Sequence, residues 1–344
     1  MCLCGKKGSV MGKLKVAVIG VGHLGKEHAR LCSALPEVEL IGVVDVDKER
    51  GTQIAESYNT CYFNDYKDVL DKVDVVIVVV PTRQHFKIAM DFLKKGVHVL
   101  VEKPMTGTVA EAKELIAVSE QKKVLLQPGY IERFNPAIIA IQKYNIVPRF
   151  IEVHRLSPYS FRSEDIDVVL DIMVHDIDII LSLCKSKIKR IDAVGINVIS
   201  NKEDIANARI VFENNCVANI TASRVSLKTM RKMRLFSEDM YISLDYQKKD
   251  AIICRKSPKL NVKSFDGNKG VFSIADLKNF SFGDLLQREE IKMDTTDEPL
   301  RKELESFFAC VKSGEKPTVS SMDGLNAVAA AESVLEEIKI HCPK

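Results

Sequence analysis

Three glycines stand in the run Gly20-Val21-Gly22-His23-Leu24-Gly25, directly after a short β-rich stretch and at the start of a helical pattern. Glycine at these places permits a tight turn, a close backbone approach to a pyrophosphate, and close packing of helix on strand. The helix N-terminus adds N–H donors for the anion, with the backbone of His23 and Leu24 facing it. Alone, the spacing would suit any strand–helix turn. An acid, Asp45, follows about twenty residues after Gly25 at the end of the next strand-like run, where it can accept a hydrogen bond from a ribose 2′-hydroxyl. Alone, Asp45 would suit a helix N-cap; together the two features predict a dinucleotide site. A carboxylate repels a 2′-phosphate, and Val46 and Asp47 bring no arginine, so the expected cofactor is NAD rather than NADP.

The elements that must hold these residues follow from periodicity. Strands are expected at 15–19, 38–45, 75–80, 97–102 and 124–127, alternating with helices at 24–34, 48–57, 84–94 and 109–121, the pattern of a doubly wound parallel sheet. After Pro128 the pattern changes. A helix near 135–144, a strand at 150–156 and a helix at 168–183 precede strands at 188–200, 206–213, 216–225, 233–237 and 241–246, read as successive and antiparallel. Two helices, 299–313 and 324–340, close the chain, and 259–279 reads as a loop. The expected fold class is therefore α/β plus α+β. A short disordered extension (1–12) leads into a Rossmann domain (13–127), then a domain with a large, mostly antiparallel open sheet for substrate and oligomerisation (128–344).

Bulk properties bound the function. A chain of 344 residues suits two domains. With 46% apolar and 28% charged residues it reads as a soluble globular enzyme. A net charge of +3 gives no global basic field, so no nucleic-acid partner is expected. No apolar run nears the roughly 18 residues of a membrane span, and the first residues have no signal-peptide core. Met11 reads as an alternative start. Nine scattered cysteines without a CxxC pair argue for a reducing, cytoplasmic setting and against a metal site, the tail pair Cys2 and Cys4 included.

Further segments carry a family resemblance: Val80-Pro81-Thr82-Arg83-Gln84-His85, Glu102-Lys103-Pro104, and Asp171-Ile172-Met173-Val174-His175. With the glycine run they make the chain after Met11 resemble the glucose–fructose oxidoreductase, inositol dehydrogenase and MocA family. The resemblance implies a dehydrogenase in which Lys103 and His175 lie at the nicotinamide and the reacting hydroxyl, with Asp171 as companion carboxylate. Pro81, Thr82, His85, Glu102 and Lys103 are then expected beside the cofactor. Two observations agree independently: Lys103 ends a parallel strand, where open α/β sheets bind ligands, and Asp171 and His175 are i and i+4 on one helix. His175 would take the hydroxyl proton and Lys103 stabilise the alkoxide, or the two would exchange roles. His28, His98 and His154 are read as structural.

The family's glycines before the DxxxH segment are replaced here by Val168, Val169 and Met173, which weighs against simple polyols. The runs Glu132-Arg133-Phe134-Asn135-Pro136, Glu152-Val153-His154-Arg155-Leu156-Ser157 and His175-Asp176-Ile177-Asp178 resemble the nucleotide-sugar branch, UDP-N-acetylglucosamine 3-dehydrogenases in particular. Tyr130 stands where that branch carries histidine. The implied substrate is a nucleotide sugar, with Tyr130, Arg133, Asn135, Arg155 and Arg162 as candidate contacts. A UDP-linked uronic acid, a free sugar or a cyclitol remain alternatives. The basic run from Arg224 through Lys228, Arg231 and Lys232 to Arg234 is either a diphosphate site or a solvated sheet edge. A homodimer or homotetramer is expected. A non-catalytic dinucleotide sensor is the competing class; retention of both Lys103 and His175 speaks against it.

Overall fold

The computed structural model describes residues 12–160, 166–256, 286–292 and 298–342. Arg162, Cys2, Cys4 and the expected loop at 259–279 lie outside the described residues. The chain divides into two units, Met1–Ile131 with Leu300–Ala329, and Glu132–Pro299 with Ala330–Lys344. No described helix is long and apolar enough to cross a membrane.

In the first unit six parallel strands run β1 (Leu14–Ile19), β2 (Val38–Val44), β3 (Cys61–Phe63), β4 (Val75–Val78), β5 (His98–Glu102) and β6 (Leu126–Gly129). Their order in the sheet is β3-β2-β1-β4-β5-β6, so the order in which strands are added reverses between β1 and β4 while all strands stay parallel. Such a switch point opens a crevice at the carboxyl ends of the strands. Every residue of β4 is buried, the mark of a strand covered on both faces. Alternation divides β1 between the two cores. Leu14, Val16 and Val18 join Ala29, Leu31 and Cys32 of α1 (Gly25–Ala34), whereas Ala17 and Ile19 join the core of α3 (His85–Lys94) and α4 (Val109–Lys122). Helix α2 (Lys48–Ser57) follows β2 and is capped by Asp47, which accepts from the Arg50 amide at 3.1 Å. The short β3 lacks an apolar alternation long enough to be read from sequence.

The second unit carries α5 (Pro136–Gln142), β7 (Phe150–Leu156), α6 (Val174–Cys184) and β8 (Ile188–Ile196). Six further strands complete its sheet: β9 (Ile205–Phe212), β10 (Val217–Ser223), β11 (Met230–Phe236), β12 (Met240–Asp245), β13 (Asp250–Lys256) and β14 (Leu286–Lys292). The sheet order is β14-β13-β12-β11-β7-β10-β9-β8. Pairing is antiparallel except between β7 and β10. Strand β8 stops at Ile196 rather than 200 because Asp204 Oδ2 takes the N–H groups of Val198, Ile199 and Ser200, at 2.8, 2.6 and 2.9 Å, out of the ladder. Strands β13 and β14 are additions to the expected set; β14, Leu-Gln-Arg-Glu-Glu-Ile-Lys, is a polar outer strand without an apolar face. The helix expected at 168–183 is two pieces, a π-helical turn over Val169–Met173 and then α6. Helices α7 (Pro299–Ser313) and α8 (Ser321–His341) end the chain. Leu300, Leu304, Phe307 and Phe308 of α7 form a helical stripe in the core that α1 shares with β1, so this segment returns to the first unit.

Candidate functional site

In the first unit each glycine of the loop meets a different constraint. Gly20 has φ +86°, and a Cβ there would lie 2.2 Å from the Val79 carbonyl oxygen; at Gly25 it would lie 1.9 Å from the Gly20 carbonyl oxygen. These two shape the turn and seat α1 on the sheet. Among the described residues a Cβ at Gly22 would meet nothing within 4 Å, so glycine there leaves the space beside the loop clear. No side chain caps the N-terminus of α1; the Lys26 and Glu27 amides donate to the Gly22 and Leu24 carbonyls at 3.1 and 3.0 Å, and the positive end of the helix dipole lies at the glycine loop. His23 is exposed and Leu24 half-buried at this turn.

Asp45 follows β2 and is buried. Its Oδ2 accepts from the Val21 amide at 2.9 Å and from Arg50 Nε at 3.1 Å; its Oδ1 accepts from the Asp47 amide at 2.9 Å and from Arg50 Nη2 at 2.6 Å. Burial pushes its carboxyl up, but Arg50 and the two amides outweigh burial and hold it below the ordinary value. Arg50 is the residue that sequence reasoning missed. It lies one turn into α2, beyond Val46 and Asp47, and the Asp47 cap brings its side chain back over Asp45. The helical phase from the cap was the signal that could have found it. This cradle, a clear loop at Gly22, a helix start without a side-chain cap and an acid at the end of β2 whose Arg50 partner is half-exposed, fits the adenosine and pyrophosphate of NAD.

After β4, Pro81 leads into a 3₁₀ turn over Thr82–Gln84 with Thr82 buried. His85 is buried behind it, with Nδ1 2.8 Å from the Pro104 carbonyl oxygen and Nε2 2.8 Å from that of Val80. Burial pushes its pKa below the ordinary 6.5, against the upward pull of the two carbonyls. His85 thus ties the loop after β4 to the segment holding Lys103. Glu102 ends β5, and Lys103, half-buried, comes next, joined to Pro104 by a cis peptide. Glu102 bonds His28 Nε2 at 2.8 Å and accepts the Lys103 amide at 3.2 Å. Tyr130 is buried just past β6, its amide on the Pro128 carbonyl at 3.0 Å.

In the second unit the residues before α5 and those on α6 are joined by buried charge pairs. Arg133 grips Asp178 with Nε–Oδ2 at 2.6 Å and Nη2–Oδ1 at 2.9 Å. Arg155 grips Asp176 in the same two-point manner, at 2.7 and 2.9 Å, and donates to Glu132 Oε1 at 2.8 Å. Burial lowers the Arg155 pKa, yet Asp176 and Glu132 carry it well above the ordinary value. Asn135 caps α5 through the Ala137 amide at 3.0 Å and donates to Glu132 at 3.0 Å. Two of the expected substrate arginines are therefore bonded to acids on α6, on either side of Ile177 and next to His175. Asp171, on the π-helical turn, and His175, on α6, are both half-buried.

The basic run is also largely paired. Arg224 is buried on Asp204 at 2.9 Å, Arg234 reaches Glu152 at 2.7 Å, and Lys232 lies 3.6 Å from Asp245. Lys228 and Arg231 are exposed.

Comparison with known proteins covers both units. Residues 14–130 match the oxidoreductase family model described as an NAD-binding Rossmann fold, and residues 153–242 match the GFO/IDH/MocA C-terminal domain. The UDP-N-acetylglucosamine 3-dehydrogenase of Acidithiobacillus ferrooxidans is 38% identical over 234 residues, 68% of this chain and 74% of that protein. A crystal structure of that enzyme matches at TM-score 0.84 and 31% identity, covering 96% of this chain and 99% of that one. The scyllo-inositol 2-dehydrogenase (NAD(+)) of Bacillus subtilis is 27% identical over 234 residues, 62% of this chain and 68% of that protein. A levoglucosan dehydrogenase in complex with NADH, at 17% identity and TM-score 0.81 over 95% of this chain and 97% of that one, shares the fold. With the NAD-binding and C-terminal family domains both present and in order, the chain belongs to the Gfo/Idh/MocA family of oxidoreductases.

Proposed function

We propose that this protein oxidises the 3-hydroxyl of UDP-N-acetylglucosamine with NAD, giving the 3-keto sugar nucleotide and NADH. The observation that carries the reading is the likeness to an enzyme of that name over nearly the whole length of both chains, at 31% identity. NAD, when bound, supplies the hydride acceptor. The chain supplies the rest. The Gly20–Gly25 loop and the α1 N-terminus hold the pyrophosphate, and Asp45 holds the adenosine ribose. His175 accepts the hydroxyl proton, Asp171 orients His175, and Lys103 stabilises the developing alkoxide, or Lys103 and His175 exchange these parts. Pro81, Thr82, His85 and Glu102 frame the nicotinamide end. Tyr130, Asn135 and Arg162 are assigned to the sugar nucleotide. Arg133 and Arg155, committed to the acids of α6, act by seating the helix that bears His175.

On the same reading the enzyme is cytoplasmic and a homodimer or homotetramer, and its keto product passes to a transaminase that makes an amino sugar for lipid A. The exposed apolar residues Val194, Ile196, Val198 and Ile199 support subunit pairing through the second sheet. The test follows NADH absorbance with UDP-N-acetylglucosamine, a UDP-linked uronic acid and free inositol in turn, coupled to a transaminase that traps the ketone. Turnover with inositol and none with either UDP-sugar would overturn the reading.

A further inference from the structure

We propose that His28 is a positioning residue for hydride transfer, acting through Glu102 to fix where Lys103 leaves the sheet. The inference rests on the assignment of Lys103 given above. His28 lies on the face of α1 that packs on the sheet, fully buried beside Ala29, Leu31 and Cys32. An imidazole in such a place is desolvated without return unless its bond matters. Its Nε2 bonds Glu102 Oε1 at 2.8 Å, and its Nδ1 has no partner among the described residues. Among the described residues the one hydrogen bond of this ring is therefore to Glu102.

Glu102 is equally constrained. It ends β5 opposite Gly129 of β6, where a Cβ would stand 3.0 Å from the carboxylate. Glycine there leaves room for the acid. One carboxylate oxygen is held by α1 and the other accepts the Lys103 amide at 3.2 Å. The helix whose N-terminus faces the pyrophosphate is thereby tied, through two side chains, to the backbone atom from which Lys103 departs. A shift of about 1 Å in a reacting group costs about 10²-fold in rate, so losing this tie should be visible in turnover while the cofactor still binds.

The test compares His28→Asn with His28→Gln in the full-length enzyme, with Lys103→Ala as reference. The glutamine amide reaches the position of Nε2 and can donate to Glu102; the asparagine amide stops one bond short. In single turnover with UDP-N-acetylglucosamine, His28→Asn should lose about 10²-fold in NADH formation. Its NAD affinity by calorimetry should change less than about threefold, and His28→Gln should recover most of the rate. Gly129→Ala, which presses on the same carboxylate from β6, should slow the reaction with His28 intact and serves if His28→Asn does not fold. A wild-type rate in His28→Asn or in Gly129→Ala, beside a slow Lys103→Ala, overturns the positioning role alone. A wild-type rate in Lys103→Ala overturns the reading beneath it. Equal loss of rate, NAD affinity and Tm in both His28 variants makes His28 a packing residue and also overturns the proposal.

Discussion

Replacing Arg50 by alanine is expected to widen the preference for NAD over NADP from both sides. Asp45 accepts four donors, the amides of Val21 and Asp47 and two nitrogens of Arg50. A carboxylate offers about four lone-pair positions, so a ribose hydroxyl can bond only if one donor leaves. The amides are fixed in turns, whereas the Arg50 side chain is 44% exposed and is the donor free to move. A half-exposed ion pair contributes about 0.5–1 kcal/mol after screening. Removing it should therefore tighten NAD about two- to fivefold. NADP should respond in the opposite sense, because the displaced guanidinium is the cation at hand for a 2′-phosphate. Loss of one charge-assisted bond of about 1.5–3 kcal/mol weakens NADP about 10- to 100-fold. Calorimetric titration of both cofactors at two ionic strengths measures this, with the NADP effect shrinking in salt. A tenfold loss of NAD affinity in Arg50→Ala, or an unchanged NADP affinity, would refute the reasoning.

Lys103→Ala and His175→Ala should each lower kcat by about 10²-fold or more with NAD affinity preserved, as for loss of a positioned acid–base group; steady-state kinetics with calorimetry checks it. Gly25→Ala should destabilise the fold by about 3 kcal/mol, since its Cβ would meet a carbonyl oxygen at 1.9 Å. Gly22→Ala, with nothing within 4 Å, should leave urea unfolding unchanged and weaken NAD binding. The depressed His85 pKa means that the unfolded chain binds its proton first as pH falls below 6.5. Its contribution to stability is present above that pH and is lost on descent toward the folded value. His85→Gln should flatten that limb of the stability–pH curve.

The first unit was legible because its signals are local. Buried parallel strands are continuous apolar runs, and the glycine loop, Asp45 and the Glu102-Lys103-Pro104 turn each occupy one short segment. What escaped reading depends on residues far apart in sequence or on geometry that composition does not carry. Strand β14 is polar and held by pairing with β13 rather than by an apolar face. The π-helical turn at Val169–Met173 interrupts a pattern whose apolar spacing looks unbroken. The return of α7 to the core of the first unit follows from a stripe of leucine and phenylalanine that would suit either core. The bond between Glu102 and His28 joins residues 74 positions apart, and no local pattern in either segment announces it.

The arginines show how burial changes the meaning of a charge. Counted along the chain, Arg133, Arg155, Arg224 and Arg234 form a supply for a diphosphate, yet each is bonded to an acid, and the first three are buried with theirs. A buried guanidinium is costly unless paired, and removing one member strands the other charge at about 3–5 kcal/mol. Asp176 and Asp178 sit one and three residues beyond His175, so the two-point bonds of Arg155 and Arg133 set the rotation and depth of α6 at that histidine. Removing either arginine therefore acts first on His175 and on stability, and a change in KM for the sugar nucleotide in such a variant does not by itself identify a phosphate ligand. Among the described residues of the basic run, Lys228 and Arg231 are exposed, and Lys232 and Arg234 pair with acids that are not fully buried. Arg231 adds its field to that of Arg155 on the buried Glu132 and Asp176, so a charge change at Arg231 also reaches the network that seats α6.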